Sequence, residues 1–278
     1  MLQPWYAKKY ANDVYGPLEL RFEFYIDEMP SGEVKLAGER PELFEYAVNG
    51  VKLSADGDFW VDICFKTMPV PKSALKPGRN VITAKTVFGR TTNAEALYLL
   101  GDFGVKIEAH EQNVTVRHGE QGKGRFFDNE KHITALPKNI GFDNLAKYGL
   151  PFYSGCVTYK INGKALPEVN THKGERLFIG ADNFVGALAK VSAEGKEILL
   201  PWKGQMAEVT ELSGKDISVT LVCTRKNTFG PLHLVPAIPP HILPDLFVTD
   251  GETFSEDYVL MDSGIFGGIR FEKRVRED

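Results

Sequence analysis

Along most of this chain, apolar and polar residues alternate with a period of two. The run LELRFEFYI (Leu18–Ile26) alternates and is rich in aromatics, and VITAKTVF, CVTYKI, ERLFIGA, ALAKVSA, ISVTLVCT and GGIRFEKRV follow the same logic. A strand turns successive side chains to opposite faces, so this period predicts half-buried strands. No long stretch carries the 3.6-residue period of an amphipathic helix. Turn residues punctuate the runs at short intervals, at Met29-Pro30-Ser31-Gly32, Asn49-Gly50, Lys76-Pro77-Gly78, Asn162-Gly163, Glu194-Gly195 and Ser213-Gly214. Many short strands with regular turns predict an all-β chain of antiparallel sandwiches. Asn49-Gly50 and Asn162-Gly163 are the most specific of these signals, because Asn and Gly tolerate the positive φ that a two-residue hairpin turn demands.

The two halves repeat one pattern. EYAVNGVKL is followed by LKPGRNVIT, and LAKVSAEGKEI is followed by LSGKDISV. Each reads as strand, tight turn, strand, then a leucine, a turn glycine, a basic residue and an Asn or Asp leading into a β-branched strand. We therefore expect two tandem β-sandwiches, residues 1–107 and 108–278. The polar, charged stretch EAHEQNVTVRHGEQGKGRFFDNEKH falls at the join, with NVTVRH as a possible strand inside it. The segment 231–244, PLHLVPAIPPHILP, holds five prolines. Proline cannot donate to a ladder, so an excursion from the second sandwich is expected there.

Composition narrows the classes. A net charge of −4 with no long Lys/Arg run gives no attraction for nucleic acid. No apolar stretch approaches the ~20 residues of a membrane helix. MLQPWYAKKYANDVYG lacks the apolar core of a signal peptide, so a cytoplasmic chain, or a piece of a larger protein, is expected. Cys64, Cys156 and Cys223 are widely spaced and fit neither a disulfide framework nor a zinc site; each sits in an alternating apolar run and is expected as a buried thiol. The six histidines are scattered, which disfavours a transition-metal site. There is no GxSxG, Walker or Cys/His signature.

The segments EALYLLGDFGV (Glu95–Val105), PFYSGCVTYKI (Pro151–Ile161), RKNTFGPLHL (Arg225–Leu234) and VLMDSGIFGGIRFE (Val259–Glu272) resemble the C-terminal region of large bacterial glycoside hydrolases. ALAKVSAEGKEILLPWKGQMAEVTELSGKDISVTL is similar to the sugar-binding domains of β-galactosidase-type enzymes, with Glu194-Gly195 where that family tends to have Asn-Gly. The resemblance implies galactose-binding-domain-like jelly rolls and a non-catalytic accessory region, with carbohydrate and an upstream catalytic domain as partners. It implies no cofactor, beyond a structural calcium ion by analogy. No catalytic residue carries over; a purely structural or interaction pair of sandwiches with no ligand is one alternative, and a self-contained glycoside hydrolase is the less favoured one.

Five residues are candidates for carbohydrate contact. In FWVDI, a continuous strand would put Phe59, Val61 and Ile63 on one face and Trp60, Asp62 and Cys64 on the other. An indole face beside a carboxylate can stack on sugar C–H bonds and accept hydroxyl hydrogen bonds. Trp202, where a strand leaves the sheet, offers a second platform. For both tryptophans, packing in the core is the leading reading, because large aromatics are usually buried. Asn227 and His233, in the polar patch TRKNTFGPLHL, are the remaining candidates, with a hydrogen-bonded structural role favoured for the histidine. Glu39-Arg40-Pro41-Glu42 reads as a solvated rim loop.

Overall fold

The computed structural model describes residues 8–10, 13–92, 94–115, 121–235 and 243–275. The described chain is all-β, with short 3-10 turns and the four-residue helix Lys226–Phe229 between strands. It divides into two units, Met1–Val105 with Glu130–Leu136, and Lys106–Asn129 with Pro137–Asp278.

The first unit has two sheets. Strands β1 (Val14–Ile26), β3 (Glu45–Val48), β4 (Val51–Lys52), β7 (Gly78–Gly89), β9 (Gly104–Lys106) and β12 (His132–Thr134) form one, in the order β4-β3-β7-β1-β12-β9. Strands β2 (Val34–Glu39), β5 (Phe59–Trp60), β6 (Asp62–Val70) and β8 (Tyr98–Gly101) form the other, in the order β5-β6-β2-β8. The strongest alternation in the sequence gives the longest pairing: β1 runs antiparallel to β7 from Val14↔Gly89 to Ile26↔Gly78. β1 turns Phe24 and Ile26 inward, where they join Leu36 of β2, Val48 of β3, Met68 of β6, Ile82 of β7 and Ile133 of β12 in one buried cluster. Both sheets feed this cluster, so they face each other across it. Burying each such side chain stabilises the unit by roughly 1.5–3 kcal/mol. β12 reaches β1 in parallel, Tyr25↔His132 and Ile26↔Ile133, so residues well past 107 complete this unit.

In the second unit, β10 (Ala109–Thr115) and β11 (Gln121–Phe127) form a hairpin. Strands β13 (Cys156–Ile161), β16 (Leu188–Ala193), β17 (Lys196–Leu200) and β19 (Ile217–Val222) make a sheet in the order β13-β19-β16-β17. β14 (Glu175–Gly180) lies between β18 (Met206–Glu208) and β21 (Arg270–Val275), and β15 (Asn183–Val185) pairs with β20 (Gly264–Phe266). Leu177, Ile179, Phe184, Val191, Val219, Leu221 and Ile265 are among the buried residues that join these sheets in one core.

Three local expectations change. Asn162-Gly163 is not a hairpin turn: Asn162 has φ −69° and caps the 3-10 turn Gly163–Ala165 by accepting from the Lys164 amide. Gly163 is needed there for space, since a Cβ would lie 2.3 Å from the Gly214 carbonyl oxygen. Of the cysteines, Cys223 is buried, but Cys64 and Cys156 are exposed. In β13 the buried positions are Val157 and Tyr159, so strict alternation turns Cys156 to solvent. Within the Pro-rich segment, residues 236–242 lie outside the described residues, as do 116–118 of the expected NVTVRH strand; Thr115 ends β10.

Candidate functional site

The five sequence candidates fall in different places. Trp60 closes β5, and the expected continuous strand breaks immediately after it. Val61 takes φ 66°, a left-handed conformation that is rare and strained for a β-branched residue. The chain reverses there, so Trp60 pairs directly with Asp62 of β6. Phe59, Val61 and Ile63 all emerge exposed around this hairpin tip. The Asp62 carboxylate accepts from the Cys64 amide at 2.9 Å, the short Asx bond that lets the chain turn. That bond, followed by one from the Cys64 thiol, holds the Asp62 carboxyl below its ordinary range, and the same carboxylate, by its side-chain bond to the thiol, pushes the Cys64 thiol up.

Trp60 is half-buried in a trio of rings. Its centroid lies 5.1 Å from Tyr98 and 6.0 Å from Phe65, and Phe65 lies 5.7 Å from Tyr98. The register explains the trio. Ala37↔Tyr98 and Glu39↔Phe65 are cross-strand pairs, so Tyr98 and Phe65 share the face of the sheet opposite Leu36 and Met68. Edge-to-face geometry favours such a cluster, which leaves less of the Trp60 face for a ligand.

Trp202 is different. It sits in the turn between β17 and β18 and is 69% exposed. Its indole makes no hydrogen bond and no ring contact among the described residues. Only its backbone is engaged, the carbonyl accepting from the Gln205 amide at 3.3 Å. Gly204 donates its amide to the Ala181 carbonyl and takes φ 72°, which fixes the turn. These two backbone hydrogen bonds pin the turn, while the Trp202 ring faces water. Three residues on, the buried Gln205 Oε1 has no hydrogen-bond partner.

Asn227 is a clasp. Its Nδ2 donates to the carbonyls of Pro151 (3.1 Å) and Met261 (2.8 Å), and its Oδ1 accepts from the Met261 amide (2.9 Å). His233 pairs its Nδ1 with the Ser255 carbonyl at 2.9 Å, and its ring lies 4.9 Å from Tyr258 and 5.9 Å from Phe254. Both side chains serve the local architecture, and no hydrogen bond or ring contact joins either to Trp202. The structure thus brings Trp60 and Asp62 together and leaves the other three apart.

Sequence reasoning missed one feature. Glu39, read as part of a solvated rim loop, is only partly exposed and lines a pocket with Tyr46 and Glu95. Burial raises its carboxyl, and the neighbouring Glu95 raises it further. Nothing in the sequence pairs these two acids. Among the described residues, no group of three or more His, Cys, Asp or Glu is arranged to hold a metal ion. No described helix is long and apolar enough to cross a membrane.

No family model matches this chain, and no curated protein does. Comparison with solved structures finds Paenibacillus xanthan lyase, at 12% identity and TM-score 0.21 over 77% of this chain and 22% of that one. Streptomyces avermitilis alpha-L-rhamnosidase, complexed with L-rhamnose, matches at 12% identity and TM-score 0.22, over 78% of this chain and 28% of that one. The alpha-L-rhamnosidase from Dictyoglumus thermophilum matches at 9% identity and TM-score 0.23, over 81% and 31%. This chain spans less than a third of each of those chains. At such TM-scores the likeness carries neither fold nor activity across, and the site has to be read from its own geometry.

Proposed function

We propose that this chain is a non-catalytic accessory region that binds carbohydrate, built on two jelly-roll-like sandwiches, with Trp202 as the stacking platform. The observation that carries the reading is the exposure of Trp202 on a turn fixed by backbone hydrogen bonds. A large apolar ring held in water loses the hydrophobic gain of burial, which a pyranose C–H face stacked on it restores. Lys203 and Asp182, exposed nearby in sequence and by the Ala181–Gly204 bond, supply polar contacts for sugar hydroxyls.

The test is a glycan panel of galactosides, rhamnosides and pectin fragments, followed by tryptophan fluorescence. A saturable shift should weaken by at least about tenfold in Trp202→Ala, the usual effect of truncating an aromatic anchor. Trp60→Phe should leave it unchanged. Silence across the panel, or a shift indifferent to Trp202→Ala, ends this reading.

A second reading has its own support. The exposed tip formed by Phe59, Val61 and Ile63 offers an apolar surface for the upstream catalytic domain that the sequence resemblance implies. Val61→Gly would relax the tip without removing the Trp60 cluster. Under this reading Phe59→Ser and Ile63→Ser abolish association with a catalytic polypeptide and leave glycan binding alone.

A further inference from the structure

Strand β1 is paired along its length on one edge only. On that edge it meets β7 from Val14 to Ile26; on the other, β12 covers only Tyr25 and Ile26. The Tyr25 amide donates to the Lys131 carbonyl at 2.9 Å, so it points away from β7. Successive residues of a strand turn their N–H and C=O groups to alternate edges. The register with β7 is unbroken from Pro17 to Ile26, so Glu23, Arg21, Glu19 and Pro17 share the edge that Tyr25 uses. Among the described residues, nothing bonds the backbone N–H or C=O of Glu19, Arg21 or Glu23 on that edge. Such a row of unpaired groups is a template for another strand.

Three features limit what can pair there. Pro17 has no N–H to offer, and β12 occupies the edge from Tyr25 onward. Gly16, at φ 152°, carries the bulge that takes Tyr15 out of the ladder with β7. Between these limits the two faces differ. Glu19, Arg21 and Glu23 are exposed on one, while Leu18, Leu20 and Phe22 are only partly buried on the other. A fitting strand therefore alternates charged and apolar residues in the same way, and β1 itself does so.

We propose that this edge pairs antiparallel with β1 of a second copy of this chain, about a two-fold axis at Leu20. In that register Glu19 lies opposite the second copy's Arg21, and Arg21 opposite its Glu19, each pair exchanging two backbone hydrogen bonds. Within one copy Arg21 already bonds Glu19 at 2.6 Å, and pairing extends this into an alternating array. On the other face Leu20 meets Leu20, and Leu18 meets Phe22. The second copy's Gly16 falls opposite Phe24, so its bulge leaves the edge where β12 begins. Neighbouring registers fail. An axis at Arg21 sets Arg21 against Arg21 and Glu19 against Glu23, and an axis at Glu19 sets Glu19 against itself. An axis at Phe22 needs the Tyr25 edge that β12 holds. The two-fold pairing consumes the same edge of both copies, so it closes at a dimer. The surface lies in the first unit and is independent of Trp202, in the second.

Sedimentation velocity of the full chain, from about 1 μM to about 1 mM, should show a reversible monomer–dimer equilibrium. Arg21→Glu turns two attractive pairs into repulsive ones and should weaken the dimer about tenfold. Adding Glu19→Arg to it should restore the parent affinity, because opposite charges face each other again. Both positions are exposed, so both variants should keep the parent circular dichroism spectrum. The register is tested by cross-linking in a Cys64→Ser, Cys156→Ser background, which removes the exposed thiols. Leu20→Cys should form an intermolecular disulfide on oxidation, since residues opposite at the axis lie about 4.5 Å apart at Cα. Leu18→Cys should not, because its copies are roughly 14 Å apart along the strands. The proposal is overturned by a monomer at every concentration, by a dimer indifferent to Arg21→Glu or not restored by the double exchange, or by equal cross-linking of Leu20→Cys and Leu18→Cys.

Discussion

Two asparagines show how single residues define the first unit. Asn49 takes φ 48° at the hairpin turn, and its side chain reaches across to the turn before β7. Its Nδ2 donates to the Ala74 carbonyl and to Asn80 Oδ1, and its Oδ1 accepts from the Val81 amide. Asn80, fully buried, also accepts from the Lys76 amide and donates to the Lys76 and Gly78 carbonyls. Every polar atom of Asn80 is matched. Asn80→Ala strands several buried groups at once, so chemical denaturation should show a loss of about 2–4 kcal/mol. Asn80→Asp should destabilise as well, because it removes both donors and buries a charge. His132 gives a pH dependence. Its ring is held between Asp27 (2.8 Å) and Glu130 (2.9 Å), and those bonds, Asp27 first, raise its pKa above the ordinary 6.5. A raised histidine contributes stability that is fully present below the unfolded pKa and is lost as pH rises through the folded one. The midpoint of unfolding should therefore fall as pH climbs above about 6.5, and His132→Gln should flatten that slope.

At the scale of elements, the two units reuse one piece of local structure with different side chains. Asn49-Gly50 joins β3 to β4, with φ values of 48° and 84°. Glu194-Gly195 joins β16 to β17, with 47° and 78°. In each unit the first strand of that hairpin pairs antiparallel with the strand that follows a left-handed glycine: β3 with β7 after Gly78, and β16 with β19 after Gly214. The side chains differ in how they hold the turn. Glu194 pairs with Lys215 at 2.6 Å on the surface, and Asp216 accepts from the Gly163 amide at 2.8 Å. An exposed ion pair contributes little, and a glutamate is strained at positive φ. Glu194→Asn should therefore stabilise the second unit by a few tenths to about 1 kcal/mol, read as a rise in thermal midpoint. A fall would mean that the Lys215 pair outweighs the backbone strain.

At the scale of the molecule, the two units have separate buried clusters with no residue in common. The expected calorimetric trace therefore has two transitions. Leu36→Ala, in the first cluster, should lower one of them by about 2–5 kcal/mol of stability. Leu221→Ala, in the second, should lower the other. A single transition moved by both substitutions would show that the units unfold together.

The sequence by itself determined the strands and most of the turns. Alternation is a local property, and the side-chain period of a strand is two whatever the strand later packs against, so β1, β7, β13, β14, β16, β19 and β21 were all legible in it. So was the matching turn at Glu194-Gly195, because the flanking strands and the glycine impose it even without an asparagine. Local signals failed where distant backbone set the answer. Gly163 is a glycine because the Gly214 carbonyl lies against it, not because its own turn demands positive φ. Val61 breaks a run that reads as one strand. The sequence nominated both Trp60, read inside a continuous strand, and Trp202, read where a strand leaves the sheet, and could not tell a packed ring from an exposed one. Only the tertiary structure decided that Trp60 packs with Phe65 and Tyr98 while Trp202 faces water. It alone placed Glu39, Tyr46 and Glu95 around one pocket, because residues far apart in the chain become neighbours only when the sheets that carry them close on a common core.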